Sequence, residues 1–179
     1  PLFMSTDMKG IARIIEKRTG IPTFGFTTNA MDTYVLGGNM VYREFLDRFC
    51  PALDGSQAIS DSSSISVNLL GVTPLDFSIV GNVEALKDCG IEVNCCMTMG
   101  CTISEMAEAY KADVNVVCSS LALDGARILN DKYGTPAVLG LPMGNTACCE
   151  LEKLIRESAS DGKSRLLGSA DEITCIPPL

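Results

Sequence analysis

The chain has 179 residues, 46% hydrophobic and 20% charged, enough for one ordinary domain with a packed core or two small ones. Its net charge is −8 with no basic run, which argues against a nucleic-acid partner, and no apolar run approaches the roughly 20 residues of a membrane span. Histidine is absent, so these residues cannot make a Ser-His-Asp or Cys-His nucleophile or a His-ligated zinc site.

In chain order, "STDMKGIARIIEKRTGIPTFGF" reads as a capped helix and then a strand. Ser5, Thr6 or Asp7 can cap it, Met8, Ile11, Ile14 and Ile15 share one face, and Gly20 with Pro22 stops it. Thr23 to Phe26 is the expected strand. "MDTYVLGGNMVYREFLDRF" is helical, with Gly37-Gly38 either a kink or a tight contact, and Met40, Phe45 and Phe49 available to a core. Residues 51–64, rich in Pro, Gly and Ser, form a linker or exposed loop. Regular alternation follows. "SISVNLLGV", "IEVNCCM", "DVNVVC" and "PAVLGL" are strands, and "GNVEALKDCG", "TISEMAEAY", "LALDGARILNDKYG" and "NTACCELEKLIRESAS" are helices. The second of these helices opens on a Thr102…Glu105 capping box and carries Ile103, Met106, Ala107 and Tyr110 on one face; the next places Ala122, Ala126, Leu129 and Tyr133 in register. Asn145 caps the last helix.

Four strand–helix pairs in succession predict an α/β fold, a Rossmann-like parallel sheet with helices on both faces. Ligands of such sheets lie beyond the carboxyl ends of the strands, here "GVTPLDFSIVGN", "MTMGCT", "CSS" and "PMGNT". The first of these loops lacks the G-x-G-x-x-G spacing and holds Pro74 where amides would face a pyrophosphate, and no P-loop is present, which argues against a nucleotide cofactor. "KRTGIPTFGF" and "DKYGTPAVLG" share a helix-Gly-x-Pro-strand grammar, either two related domains or ordinary punctuation of a helix-to-strand junction.

Nine cysteines need an account. The adjacent doublets Cys95-Cys96 and Cys148-Cys149, without a signal-peptide pattern, read as thiols of a reducing cytoplasm rather than a disulfide framework. No C-x-x-C occurs, so the common zinc and ferredoxin spacings are missing. Cys95 and Cys96, adjacent on a strand, point to opposite faces. Cys89, Cys95 or Cys96, and Cys175 are expected as small buried hydrophobes. Cys148 and Cys149 fall in a helix first turn, where the dipole favours thiolate. Cys101 and Cys118 sit in rim loops, where a thiol can face a ligand. Among carboxylates, Glu105 belongs to its capping box, Asp131 to a solvated helix face, and Asp76 to the first rim loop.

The run from "SVNLLGVTPLDFSIVGN" through "KYGTPAVLGLPMG" closely resembles the middle domain of the nitrogenase component 1 family, and "GIARIIEKRTGIPTFGFTTNAMDTYVLGGNM" resembles the end of that family's first domain. The resemblance implies a piece of a longer protein, in keeping with a start at Pro1. It divides the chain into the C-terminal part of a first α/β domain (1–50), a linker (51–64) and a Rossmann-like middle domain with its trailing segment (65–179). It implies an oxidoreductase subunit that reduces substrate at low potential at an iron-sulfur-type metal cluster or a bound tetrapyrrole; the alternative is a scaffold or carrier for cluster assembly. The implied partners are a paired homologous subunit and an ATP-driven iron-sulfur reductase, with no nucleic acid and no membrane. A cysteine ligand of the family's cofactor maps to Cys118 when counted back from "KYGTP", or to Ser119 when counted from the strand Asn. Cys118 is thus the expected metal ligand, with Cys101 the second candidate, Ser119 beside Cys118 in the cofactor site, and the loops around Gly71, Gly100 and Gly144 shaping the pocket.

Overall fold

The computed structural model describes residues 6–28, 31–52, 64–73, 84–141, 143–169 and 172–173. Expectations placed on Ser5, the serine-rich stretch 53–63, Pro74, Asp76 and Cys175 fall outside them.

Helix α1 (Met8–Thr19) is capped by Asp7, whose carboxylate accepts the Gly10 N–H at 2.8 Å, and stops at Gly20, which adopts φ +71°. Its apolar face is not covered: Ile11, Ile14 and Ile15 are exposed. The strand expected at Thr23–Phe26 does not form. That segment lies against the next helix, α2 (Tyr34–Phe49), with Phe24 edge-on to Phe49 at 5.6 Å and the Arg48 guanidinium 5.1 Å above the Phe24 ring. Arg48 also pairs with Glu16 of α1. Aromatic and cation–π packing on α2 therefore takes the place of a strand ladder.

On α2 the buried stripe is Asn39, Tyr42 and Leu46, a seven-residue helical repeat, whereas Met40, Phe45 and Phe49, expected in the core, are only half-buried. Gly38 is a packing contact and not a kink: a Cβ there would lie 2.5 Å from Leu121 Cδ2. Asn39 then serves the neighbouring helix. Its Nδ2 donates to the Ser120 carbonyl at 2.6 Å and its Oδ1 accepts the Asp124 N–H at 2.8 Å.

The rest alternates strand and helix: β1 (Ile65–Leu70), α3 (84–88), β2 (Ile91–Cys96), α4 (Ile103–Ala107), a 3-10 turn at Ala109–Lys111, β3 (Val114–Val117), a 3-10 turn at Ser120–Ala122, α5 (Leu123–Tyr133), β4 (Ala137–Leu139), α6 (Gly144–Asp161), β5 (Ser164–Leu166) and β6 (Glu172–Ile173). The six strands lie in the order β2-β1-β3-β4-β5-β6, parallel except for the antiparallel β5–β6 pair. The α/β Rossmann-like architecture is therefore present; β5 and β6 are additions the hydrophobic pattern does not announce.

Strand alternation sorts the core. Val67, Leu69, Val114, Val116 and Val138 face α3 and α6 through Leu86, Leu151, Leu154 and Ile155. Leu70, Val117, Ala137 and Leu139 face α5 and α2 through Ala126, Leu129, Tyr42 and Leu46. Burial on both faces explains why β1 from Val67 onward, β3 and β4 are apolar but for Asn68 and Asn115. Because α5 and α6 cover opposite faces while β3→β4 and β4→β5 step the same way along the sheet, those two connections have opposite hands. The connections through α3 and α4 share the hand of α5, so the one through α6 departs from the usual uniformity.

Across the α4/α5 face runs a ladder of asparagines, one from each of three strands. Asn94 Nδ2 donates to Asn68 Oδ1 at 2.9 Å, and Asn68 Nδ2 to Asn115 Oδ1 at 2.8 Å. It ends at Asn115 Nδ2, which is buried and has no partner among the described residues. Helix α4 has the expected capping box but is only five residues long. Asn145 does not cap α6. The helix starts one residue earlier at Gly144, with Met143 in the cap position and no side-chain cap. Among the described residues no helix is long and apolar enough to cross a membrane.

Candidate functional site

In the order β2-β1-β3-β4-β5 the chain leaves β1 toward one edge and β3 toward the other, so the loops at their carboxyl ends part and open a crevice. The residues at that crevice are Gly71, directly after β1, and Cys118 and Ser119, directly after β3. They are held to one another. Ser119 Oγ donates to the Gly71 carbonyl at 2.8 Å, and the Cys118 N–H donates to the Leu70 carbonyl at 2.8 Å. Gly71 has φ +76°, and a Cβ on it would lie 2.8 Å from Ser119 Oγ and 3.0 Å from the Ser119 carbonyl, so only glycine fits without a shift.

The floor of this junction is Tyr42 of α2. Its Oη accepts the Gly71 N–H at 2.9 Å, and burial pushes its hydroxyl up to about 12. Thr98, in the loop after β2, donates its hydroxyl to the Val72 carbonyl and also reaches Tyr42. Thr98 carries φ +75°, a conformation that costs a non-glycine residue about 1–2 kcal/mol. Three separate elements thus converge on the turn that leaves β1. Neither Tyr42 nor Thr98 stands out in the sequence, where Met40, Phe45 and Phe49 are the residues of this helix expected in the core.

The remaining expected site residues lie on neighbouring loops. Gly100 (φ +79°) and Gly144 (φ +82°) are exposed, and among the described residues no hydrogen bond ties either to Gly71 or Ser119. Cys101 turns back to its own strand: its Sγ lies 3.5 Å from Cys95 Sγ and donates to the Cys96 carbonyl at 3.0 Å. Burial and the adjacent Cys101 hold the Cys95 thiol well above the ordinary thiol range, and burial pushes Cys96 up to about 11. As alternation requires, Cys95 joins the α5-side core and Cys96 packs against the α6-side one.

Cys148 and Cys149 fall in the second turn of α6, not the first, which removes the expected help from the helix dipole. They share a cleft of about 210 Å³ between α3 and α6 with Ala85, Leu86, Cys89 and Glu152. Cys89 there is half-buried and not fully buried; a hydrogen bond to the Glu152 carboxylate raises its thiol.

The eight described cysteines are all reduced. Among the described residues no three His, Cys, Asp or Glu side chains are placed to hold a metal ion. A cluster held by these residues alone therefore does not fit. Cys118, half-buried against the α6-side core at the mouth of the crevice, offers one soft sulfur donor to a group completed by other protein.

A family model for the nitrogenase component 1 type oxidoreductases matches residues 2–163. A light-independent protochlorophyllide reductase subunit from Methylocella silvestris is 30% identical over 141 residues, 75% of this chain and 28% of the relative. The protein of that name from Prosthecochloris aestuarii is 36% identical over 84 residues, 44% of this chain and 16% of its own length. That from Nostoc punctiforme is 33% identical over 102 residues, 53% and 20% respectively. The chain thus spans well under a third of each of these relatives. It belongs to the nitrogenase component 1 type oxidoreductases.

Proposed function

We propose that this family member is part of an oxidoreductase subunit that acts at low potential on an iron-sulfur-type cluster or a bound tetrapyrrole seated at the β1/β3 crevice. What supports the reading is one coincidence. The topological switch point, where doubly wound sheets take ligands, is bounded by Gly71, Cys118 and Ser119, and the family resemblance singles out the last two. Of the two candidates for the ligand position, Cys118 is the donor, because a soft thiolate suits an iron-sulfur-type centre better than a hydroxyl; the Ser119 hydroxyl donates to the Gly71 carbonyl and fastens the loop. Gly71, without a side chain, lets Ser119 close against the turn that leaves β1. Gly100, Cys101 and Gly144 form the outer lining, and Cys118 is the metal ligand contributed from the described residues.

When bound, such a group would supply the low-potential electron chemistry; these residues orient it and enclose one side of it. The relatives are named as subunits of a reductase of protochlorophyllide, which supports a tetrapyrrole substrate and a paired homologous subunit. An ATP-driven iron-sulfur reductase as electron donor belongs to the same reading. So does the division into a closing part of a first domain (1–50), a linker (51–64) and the site-bearing domain (65–179).

The test is titration of the chain with a tetrapyrrole, and separately its anaerobic reconstitution with iron and sulfide in the presence of a paired homologous subunit that completes the ligand set, beside Cys118→Ala and Ser119→Ala. The expected result is uptake of one of these groups by the wild-type chain, weakened at least about tenfold in Cys118→Ala and less in Ser119→Ala. Equal uptake by wild type and Cys118→Ala would overturn the assignment. Tight retention of iron without any electron uptake from a low-potential donor would favour the assembly scaffold or carrier.

A further inference from the structure

We propose that Cys95 and Cys101 are a redox-active dithiol, a site of oxidation by hydroperoxides that closes into a disulfide across the loop leaving β2. The two sulfurs lie 3.5 Å apart, against about 2.05 Å in a disulfide, so the bond needs a movement of about 1.5 Å, within reach of side-chain rotation. The pairing is built by the loop. The Met99 N–H donates to the Cys96 carbonyl at 3.1 Å, and the positive φ values of Thr98 and Gly100 reverse the chain so that Cys101 returns to the end of β2. Cys96 is excluded from the pair because it faces the other side of the sheet.

The two thiols have unequal access, which sets their roles. Cys101 is half-buried and meets the oxidant; Cys95, 2% exposed, waits behind it and is kept protonated by its burial. The Cys101 thiolate attacks one peroxide oxygen, the O–O bond breaks, and Cys101 becomes a sulfenic acid while hydroxide takes up a proton to leave as water. The Cys95 sulfur then attacks the sulfenic sulfur, the S–O bond breaks, a second water leaves with the Cys95 proton, and the S–S bond forms. Two thiols lose two electrons and two protons, and the peroxide is reduced to two waters. A small dithiol reverses the change by thiol–disulfide exchange.

The loop so closed carries Thr98, whose hydroxyl holds the Val72 carbonyl and reaches Tyr42, the acceptor of the Gly71 N–H. Oxidation therefore bears on the crevice wall, although the chemistry of the pair stands whether or not the cofactor reading does.

The test treats the fully reduced 179-residue chain with one equivalent of hydrogen peroxide under argon, alkylates the remaining thiols, and maps the bridge by mass spectrometry without reduction. One tryptic peptide, 88–111, contains Cys89, Cys95, Cys96 and Cys101. The expected result is alkylation of Cys89 and Cys96 only, a loss of two hydrogens, fragments joined between Cys95 and Cys101, and full recovery of four alkylations after dithiothreitol. Because Cys95 is buried, Cys101→Ser carries the control: it keeps the wild-type circular dichroism and loses the bridge. Alkylation of both Cys95 and Cys101 while other cysteines oxidise would overturn the proposal. So would Cys101 recovered as sulfinic acid beside an alkylated Cys95.

Discussion

Among the described residues, two places that hold cysteines are built in opposite ways. At the β1/β3 crevice, Gly71 is held from α2, from the loop after β2 and from the loop after β3 by hydrogen bonds converging on a single turn. The cleft between α3 and α6 has more thiols and a clear volume of about 210 Å³, but it is walled by side chains of two helices, Leu86 and Leu151 buried and the others half-buried or exposed. The contrast teaches that open volume and thiol number do not mark the place where a chain has committed its backbone. Commitment appears as a glycine that no other residue can replace, a strained threonine and a buried hydroxyl, all serving one turn.

Substitutions can break that comparison. The largest effect is expected for Gly71→Ala, which meets both the positive φ and the overlap with Ser119; it should cost about 4 kcal/mol, read as a drop in the urea midpoint at unchanged slope. A cost below about 1 kcal/mol would mean that the turn relaxes freely. Next is the alkaline limb of stability. Burial raises the Tyr42 hydroxyl from its usual 10 to about 12, so the unfolded chain gives up this proton first. The contribution is complete below pH 10 and lost as pH rises toward 12, about 3 kcal/mol in all; the difference between wild type and Tyr42→Phe in that window isolates it from the raised cysteines. Thr98→Gly should change stability by less than about 1 kcal/mol, because relief of strain offsets the lost bond to Val72. Smallest is Cys149→Ala in the cleft, where an exposed side chain should move stability by no more than about 0.5 kcal/mol.

How far the sequence foretold these features follows from the range of the forces involved. Strands β1, β3 and β4 were legible because burial on both faces makes them mostly apolar, the edge strand β2 because its apolar residues cluster between turn signals, and the Thr102 capping box because it is a local exchange of hydrogen bonds. The doublet Cys95-Cys96 was read correctly as facing both ways, since a strand's period permits nothing else. The strand at Thr23–Phe26 was misread because a β-like tetrapeptide is decided by its neighbours, here the Phe49 ring and Arg48 of α2. Asn145 is not the cap because the helix runs from Gly144, which puts the cap position at Met143, two residues earlier. Gly71 and Ser119 were placed on the rim by topology, yet their hydrogen bond and the tyrosine beneath it join residues 29 and 48 positions apart, beyond any local pattern. The Cys95–Cys101 contact was hidden for a similar reason: it depends on a loop in which a threonine adopts a glycine-like φ.

Whether the crevice is the seat of the bound group is decided by amide hydrogen exchange on the chain with and without the group it takes up on anaerobic reconstitution. New protection is expected at 70–73 and 117–120 alone, the two turns that bound the crevice, with unchanged exchange at 85–89 and 145–152. Protection of the helix cleft with none at Gly71 and Cys118 would contradict a seat between β1 and β3.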